Sequence, residues 1–171
     1  MANGPAQIFV HEYKDTLLFR VTGRGTMCHC AAMRRKAEQA LAHGARRLLF
    51  DLRECTYFDS TFLGTLLLLN RLMREQAGGE FALVEPSPAC RRLLGQMGMQ
   101  HYFPQVERGE ESSGGCCMLE SDTDSASFKW NVVCAHQELA SLPVAEAATF
   151  RTLAERLAAE FKASSPGNPG P

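Results

Sequence analysis

The chain has 171 residues, which is enough for one hydrophobic core of ordinary size and an extension. Hydrophobic residues make up 45% and charged residues 22%, as is typical of a soluble globular protein. The formal net charge of -1 gives no reason to expect general affinity for nucleic acid, and no apolar run approaches the roughly 20 residues of a membrane span.

The first half of the chain alternates strand and helix patterns. Strands are predicted over 7–13 and 16–22, joined by a tight link at Lys14-Asp15. From 28 to 43 apolar residues recur at three- and four-residue spacing, which predicts a helix that Gly44 can end. A strand is predicted over 46–52, because the run of large apolar residues at 48–52 is typical of a strand buried on both faces.

A second helix is predicted over 60–76, ended by Gly78-Gly79. Its four consecutive leucines, 66–69, make it apolar nearly all round, which indicates a helix wedged between the sheet and other helices. A strand over 81–84 and a short helix over 89–97 follow, so residues 1–106 are expected to form one α/β domain.

After residue 106 the composition changes. Residues 107–127 are rich in Ser, Gly and acidic residues and predict a flexible linker, with an apolar interruption at 116–119 that can dock on the body. A helical extension is predicted over 128–163. Residues 144–161 have apolar residues at helical spacing along one face. Residues 128–139 fit a helix or, because apolar and polar residues alternate there, a strand. Residues 164–171 predict a disordered tail.

The seven cysteines bear on the compartment, because one of them must stay unpaired in any intramolecular scheme. A reduced, intracellular setting is the simplest interpretation. Residues 1–5 also lack the basic and apolar regions of a signal peptide, so a cytoplasmic protein is expected.

The stretch between the buried strand and the second helix contains the motif Asp59-Ser60-Thr61-Phe62-Leu63-Gly64. Asp and Ser favour a helix start because their side-chain oxygens accept hydrogen bonds from the free amides of the first turn. The carboxyl ends of strands face outward in a parallel or mixed sheet. This turn is therefore expected to be exposed and able to meet a partner.

This motif, which follows a strand carrying Asp51, resembles the signature of the STAS domain family, the fold of anti-sigma factor antagonists. The family pattern runs Asp-Ser, then Ser or Thr, Gly, an aliphatic residue and Gly. Phe62 stands here where the family usually has glycine. The resemblance covers about residues 7–106 and implies a mixed, four- to five-stranded sheet packed by helices, to which this chain adds its C-terminal helical extension.

The resemblance also implies a function. In the family, the serine after Asp is phosphorylated by a partner kinase that doubles as the anti-sigma factor. Position by position that serine is Ser60, with Thr61 as a second acceptor. The partner-binding residues implied are Asp59, Ser60, Thr61, Phe62, Leu63 and Gly64.

The expected protein is a non-enzymatic bacterial signalling module that regulates transcription. It would bind an anti-sigma factor/serine kinase of the histidine-kinase-like ATPase type while Ser60 is unmodified, and release it on phosphorylation. A serine phosphatase would reset the switch. No cofactor or metal is expected, since ATP and magnesium belong to the kinase. A homodimer stays open.

Several alternatives remain at this point. Asp59 and Ser60 can be helix caps only, Phe62 can face a partner or fill the core, and the extension can pack internally, on a second copy or on another protein. The same fold can also be a constitutive scaffold without phosphorylation.

A thiol or metal enzyme is a further alternative, raised by Cys28-His29-Cys30 and Cys116-Cys117. Their spacing does not fit the Cys-x2-4-Cys pairs of zinc sites. The five histidines do not cluster in sequence, and neither a P-loop nor a Gly-x-Ser-x-Gly motif is present.

Overall fold

The structure is a computed structural model that describes residues 6–107 and 115–164. Within these residues strands and helices follow one another in this order: β1 Gln7–Tyr13, β2 Thr16–Gly25, α1 Met27–Ala42, β3 Arg47–Asp51, β4 Cys55–Phe58, α2 Ser60–Glu75, β5 Glu80–Val84, α3 Pro88–Gln96, β6 Gln105–Val106, β7 Cys116–Met118, α4 Ala126–Ala140 and α5 Ala147–Ser164.

The sheet is mixed, as the sequence predicted. Its strand order is β6-β5-β3-β2-β1-β7, and β4 pairs with β2 outside this path. The pairs β1–β2 and β1–β7 are antiparallel, whereas β2–β3, β2–β4, β3–β5 and β5–β6 are parallel. Lys14 has φ 52° at the tight link between β1 and β2, the left-handed backbone that short hairpin turns use.

The sheet has more strands than predicted because β4, β6 and β7 are short. Strands of two to four residues carry too little alternation to be recognised in the sequence. Strand β4 is the most important of them, since it directly precedes the motif. It pairs with the end of β2 through Gly25↔Phe58, and this pairing fixes where α2 begins.

The main core lies between one face of the sheet and the helices. A row of aromatic rings crosses β2, β3 and β5 there, with centroid distances of 5.0 Å for Phe19–Phe50 and 5.4 Å for Phe50–Phe81. A smaller buried cluster occupies the opposite face: Leu18, Leu49, Ala82 and Val84. Both faces of the central strands are therefore buried, as the continuous apolar run of β3 indicated.

Part of the predicted linker lies against the domain. Strand β7 pairs with β1, and the backbone amide of Asp122 donates to the carbonyl oxygen of Cys28 at 2.7 Å. Residues 108–114 of the linker, and 165–171 of the predicted tail, lie outside the described residues. The apolar interruption at 116–119 is thus the docking point that the sequence suggested.

The C-terminal extension forms two helices, α4 and α5, hereafter the C-terminal hairpin. The segment that fitted either a helix or a strand is a helix, and the hairpin packs on its own chain. Helix α4 lies across α2 and touches α1, while α5 lies on α4, where the rings of Trp130 and Phe161 are 5.4 Å apart. Among the described residues no helix is both long and apolar enough to cross a membrane.

Candidate functional site

Asp59 organises the corner between β4 and α2. Its Oδ1 atom accepts a hydrogen bond from the amide of Phe62 at 2.8 Å, which caps α2. Its Oδ2 atom accepts from the amide of Met27 at 2.9 Å, and Met27 is the first residue of α1. Thr26, the residue before α1, makes no side-chain cap of its own. One carboxylate therefore serves the starts of two helices.

Ser60 is the first residue of α2 and is partly exposed. Its Oγ atom lies 3.1 Å from Nε2 of His136 on α4. The other ring nitrogen, Nδ1, is 2.8 Å from the carbonyl oxygen of Val132. Because a carbonyl only accepts, Nδ1 must donate. In the neutral ring Nε2 is then an acceptor, and the Ser60 hydroxyl donates to it.

The electrostatics of this position suit an anion in part. The start of a long helix carries free amides and a positive partial charge, so it attracts a phosphate group. A phosphate on Ser60 would add about 1.5 to 2 negative charges beside the Asp59 carboxylate, which would repel it. It would also need the space that His136 fills, and His136 is only 3% exposed.

The remaining motif residues lie inside the protein. Thr61 is 4% exposed, Leu63 2% and Phe62 0%. The Phe62 ring stacks on the Phe58 ring at a centroid distance of 6.2 Å. Phe62 therefore fills the core and does not present its ring to a partner. Asp59 and Ser60 keep exposed surface. The next four residues, 61–64, are buried. Their direct contact with a partner stays a prediction.

Gly64 marks the closest approach of α4 to α2. A Cβ atom at this position would lie 2.2 Å from the carbonyl oxygen of Ala135 and 2.6 Å from its carbon. Next to it, Nδ2 of Asn131 donates to Oγ1 of Thr65 at 3.0 Å, and both residues are buried. Within the described residues Oδ1 of Asn131 has no hydrogen-bond partner.

An ion pair closes the outer edge of this contact. The guanidinium of Arg71 donates from Nε and Nη2 to Oε1 of Glu138, at 2.9 and 2.6 Å. Arg71 also donates to Glu75, one turn along α2, at 2.9 Å. The α2–α4 interface thus includes the Ser60–His136 contact, the Gly64 crossing, the Thr65–Asn131 bond and this pair, beside the apolar packing of Leu139 in the main core.

The cysteines do not assemble a site. The Sγ atom of Cys30 donates to the carbonyl oxygen of Thr26 at 3.4 Å, and burial raises the pKa of this thiol, which makes it unreactive. Cys116 and Cys117 are exposed on β7. Over residues 6–107 and 115–164 no three His, Cys, Asp or Glu side chains come close enough together to hold a metal ion.

Sequence reasoning missed the residues that α4 contributes. His136, Asn131 and Glu138 lie in a segment whose fold was left open, and Ser60 and His136 are 76 positions apart. The signal that was present is Gly64, a glycine followed by a run of leucines. Glycine inside a helix often marks a place where another backbone comes close.

Comparisons with known proteins agree on the first part of the chain. A family model described as "Mlab, STAS domain" matches residues 9–107. A STAS-domain containing protein of Pseudomonas aeruginosa (strain UCBPP-PA14) is 42% identical over 72 residues, which cover 40% of this chain and 67% of that protein. The C-terminal hairpin lies beyond the residues that the family model matches.

Two solved structures are similar in fold. An anti-sigma factor antagonist from Mycobacterium paratuberculosis aligns with a TM-score of 0.51 and 20% identity, over 61% of this chain and 87% of that one. The unphosphorylated form of the anti-sigma factor antagonist SpoIIAA aligns with a TM-score of 0.49 and 21% identity, over 59% and 89%.

Proposed function

Since this chain belongs to the STAS domain family, we propose that it is a non-enzymatic regulator that binds an anti-sigma factor or related serine kinase through the Ser60 corner. The observation that carries the proposal is the position of Ser60, a partly exposed residue that begins a sixteen-residue helix. The anti-sigma factor antagonist from Mycobacterium paratuberculosis, which is similar in fold, suggests the class of partner.

In this proposal the unmodified corner binds the partner, and phosphorylation of Ser60 releases it. A dianion in a docking patch would lose its hydration on binding, and the Asp59 carboxylate beside it adds to the repulsion. A coupling of about 3 kcal/mol lowers affinity by more than a hundredfold. The switch therefore needs no change of fold, and a separate serine phosphatase would restore binding.

The test begins by isolating a serine kinase or anti-sigma factor that binds the protein. Incubation with that kinase and ATP should place phosphate on Ser60, which peptide mapping by mass spectrometry identifies. Ser60→Asp should weaken binding at least a hundredfold in calorimetry. Thr149→Asp adds the same charge at an exposed site on α5 and should leave affinity unchanged. No phosphate at Ser60, with unchanged affinity of Ser60→Asp, would reject the switch.

A second candidate is a constitutive scaffold of the same fold. The hydrogen bond from Ser60 to His136 favours it, because a hydroxyl that packs the hairpin onto α2 has a structural role without modification. A scaffold would keep its affinity in Ser60→Asp and lose it when the exposed face of α5 is changed, for example by Arg151→Glu. The switch predicts the reverse pattern.

A further inference from the structure

The C-terminal hairpin covers part of the surface that the proposed function requires, because His136 lies against the Ser60 hydroxyl while Asp59 and Ser60 stay partly exposed. We propose that the hairpin is an internal competitor, so that α4 must leave α2 before a partner protein can engage the Ser60 corner. This inference rests on the proposed function, because it takes the Ser60 corner as the docking site. It adds a step that precedes both partner binding and modification.

The first argument is steric. His136 occupies the space in front of the Ser60 hydroxyl, and its ring is itself backed by Phe150 of α5, at a centroid distance of 6.3 Å. At Gly64 the two helix backbones meet with no room for even one methyl group. A partner cannot enter between α2 and α4 while this contact stands. The hairpin and a partner that uses this face of α2 therefore exclude each other.

The second argument is the chemistry of the contact. Two of the five buried side chains of α4 are polar, Asn131 at 2% and His136 at 3% exposure, while Val133, Ala135 and Leu139 are apolar. In the described part of the chain Oδ1 of Asn131 is buried without a hydrogen-bond partner. Water would satisfy this atom in the open state, so the group disfavours the closed one. Contacts that separate in function are more polar than permanent cores.

The third argument is the attachment of the hairpin. The chain before it stays anchored by β7 on β1 and by the bond from Asp122 to Cys28. Helix α4 begins only at Ala126, and the strands of the described sheet all come from residues before the hairpin. Detachment of the hairpin from α2 would therefore leave the sheet intact, with Asp124 and Ser125 still hydrogen-bonded to Asp122 at its base.

The consequence is quantitative. If only the open form binds, the apparent dissociation constant is the intrinsic constant divided by the open fraction. A change that raises a small open fraction tenfold must raise affinity tenfold. Detachment alone keeps the helical hydrogen bonds of α4, but once detached from α2 the helix frays more readily, so amide exchange that proceeds through the open form should rise by the same factor.

The Arg71–Glu138 pair offers a way to change the open fraction from the surface. Glu138→Arg sets two guanidinium groups against each other, and the expected rise in α4 exchange is about tenfold. The double variant Arg71→Glu/Glu138→Arg restores an attractive pair and should return exchange towards the original rate. Glu160→Arg is the matched control, since it breaks an exposed pair with Arg156 inside α5 and leaves α2 untouched.

The experiment measures hydrogen exchange and partner affinity in the full chain, with Ser60 intact and with Ser60→Asp. We expect Glu138→Arg to raise both exchange and affinity about tenfold, and Glu160→Arg to change neither. Faster exchange without tighter binding overturns the inference, as does exchange equal to the control. If Glu138→Arg tightens binding but Ser60→Asp has no effect, the hairpin competes as proposed and the phosphorylation switch fails. If only Ser60→Asp has an effect, the switch stands and the competition fails.

Discussion

Gly64 offers the sharpest test of how α4 lies on α2. Alanine at this position adds a single methyl group, which would lie 2.2 Å from the carbonyl oxygen of Ala135. The atoms it meets are backbone, which cannot rotate away. Since ordinary contact begins near 3.4 Å, α4 would have to move outward by about 1 Å.

Two opposing effects set the magnitude. In an isolated helix, Gly→Ala stabilises by about 1 kcal/mol. Here the displacement forfeits roughly a quarter to a half of the contact energy at the crossing, and it stretches the Ser60–His136 and Thr65–Asn131 bonds, each worth about 1 kcal/mol. We expect Gly64→Ala to be net destabilising by about 2 to 4 kcal/mol.

The assay is urea unfolding of matched variants, followed by circular dichroism. Gly95→Ala on α3 is the control. The added Cβ atom would have nothing within 4 Å, so the variant should be more stable by about 0.5 to 1 kcal/mol. Hydrogen exchange should also rise in α4 of Gly64→Ala. A Gly64→Ala protein as stable as Gly95→Ala would refute the close crossing, and with it the occlusion of Ser60.

Two further predictions concern Asp59 and Asp51. Asp59→Ala removes the caps of both α1 and α2 and should lower the free energy of unfolding by about 2 to 3 kcal/mol. Ser125→Ala removes the cap of α4 alone and should cost about 1 kcal/mol. Equal losses of the two variants in urea unfolding would contradict the double cap. Burial raises the pKa of Asp51. Hydrogen bonds from Arg53 and the positive charge of its guanidinium lower that pKa by more, so the net shift is downward. The ionised Asp51 therefore stabilises the fold fully above the ordinary pKa of 3.8. This stabilisation is lost as the pH falls through the lower pKa of the folded protein. Asp51→Asn should cost about 1 to 3 kcal/mol at pH 7, with the difference from the original protein shrinking below about pH 4; a difference constant with pH would contradict this.

The longer strands and helices were predictable because the spacing of apolar residues within each one is characteristic of its secondary structure. Alternation in β1 and β2, the apolar run of β3 and the leucine run of α2 each identify one element with boundaries close to those observed. The short strands were missed because their residues pair through tertiary contacts. Strand β7, for example, is defined by the pairing of residues 116–118 with residues 9–11 of β1.

The candidate site was predictable from one side only. Asp59 and Ser60 were recognised because capping is local chemistry that operates within one helical turn. His136 was not, since its role depends on where α4 lies, and helix packing is decided by surfaces rather than by spacing in the chain. The buried position of Phe62 was equally out of reach of sequence spacing. Its ring fits because Gly25 has no side chain: a Cβ atom at Gly25 would lie 3.0 Å from the ring.

The most direct test of the central claim is the initial rate at which a serine kinase that binds the protein phosphorylates Ser60 in the original protein and in Glu138→Arg. The account predicts that phosphate appears on Ser60 in both proteins, and about tenfold faster in Glu138→Arg because the hairpin opens more often. An active kinase that leaves Ser60 unmodified in both proteins, or modifies both at the same rate, would contradict it.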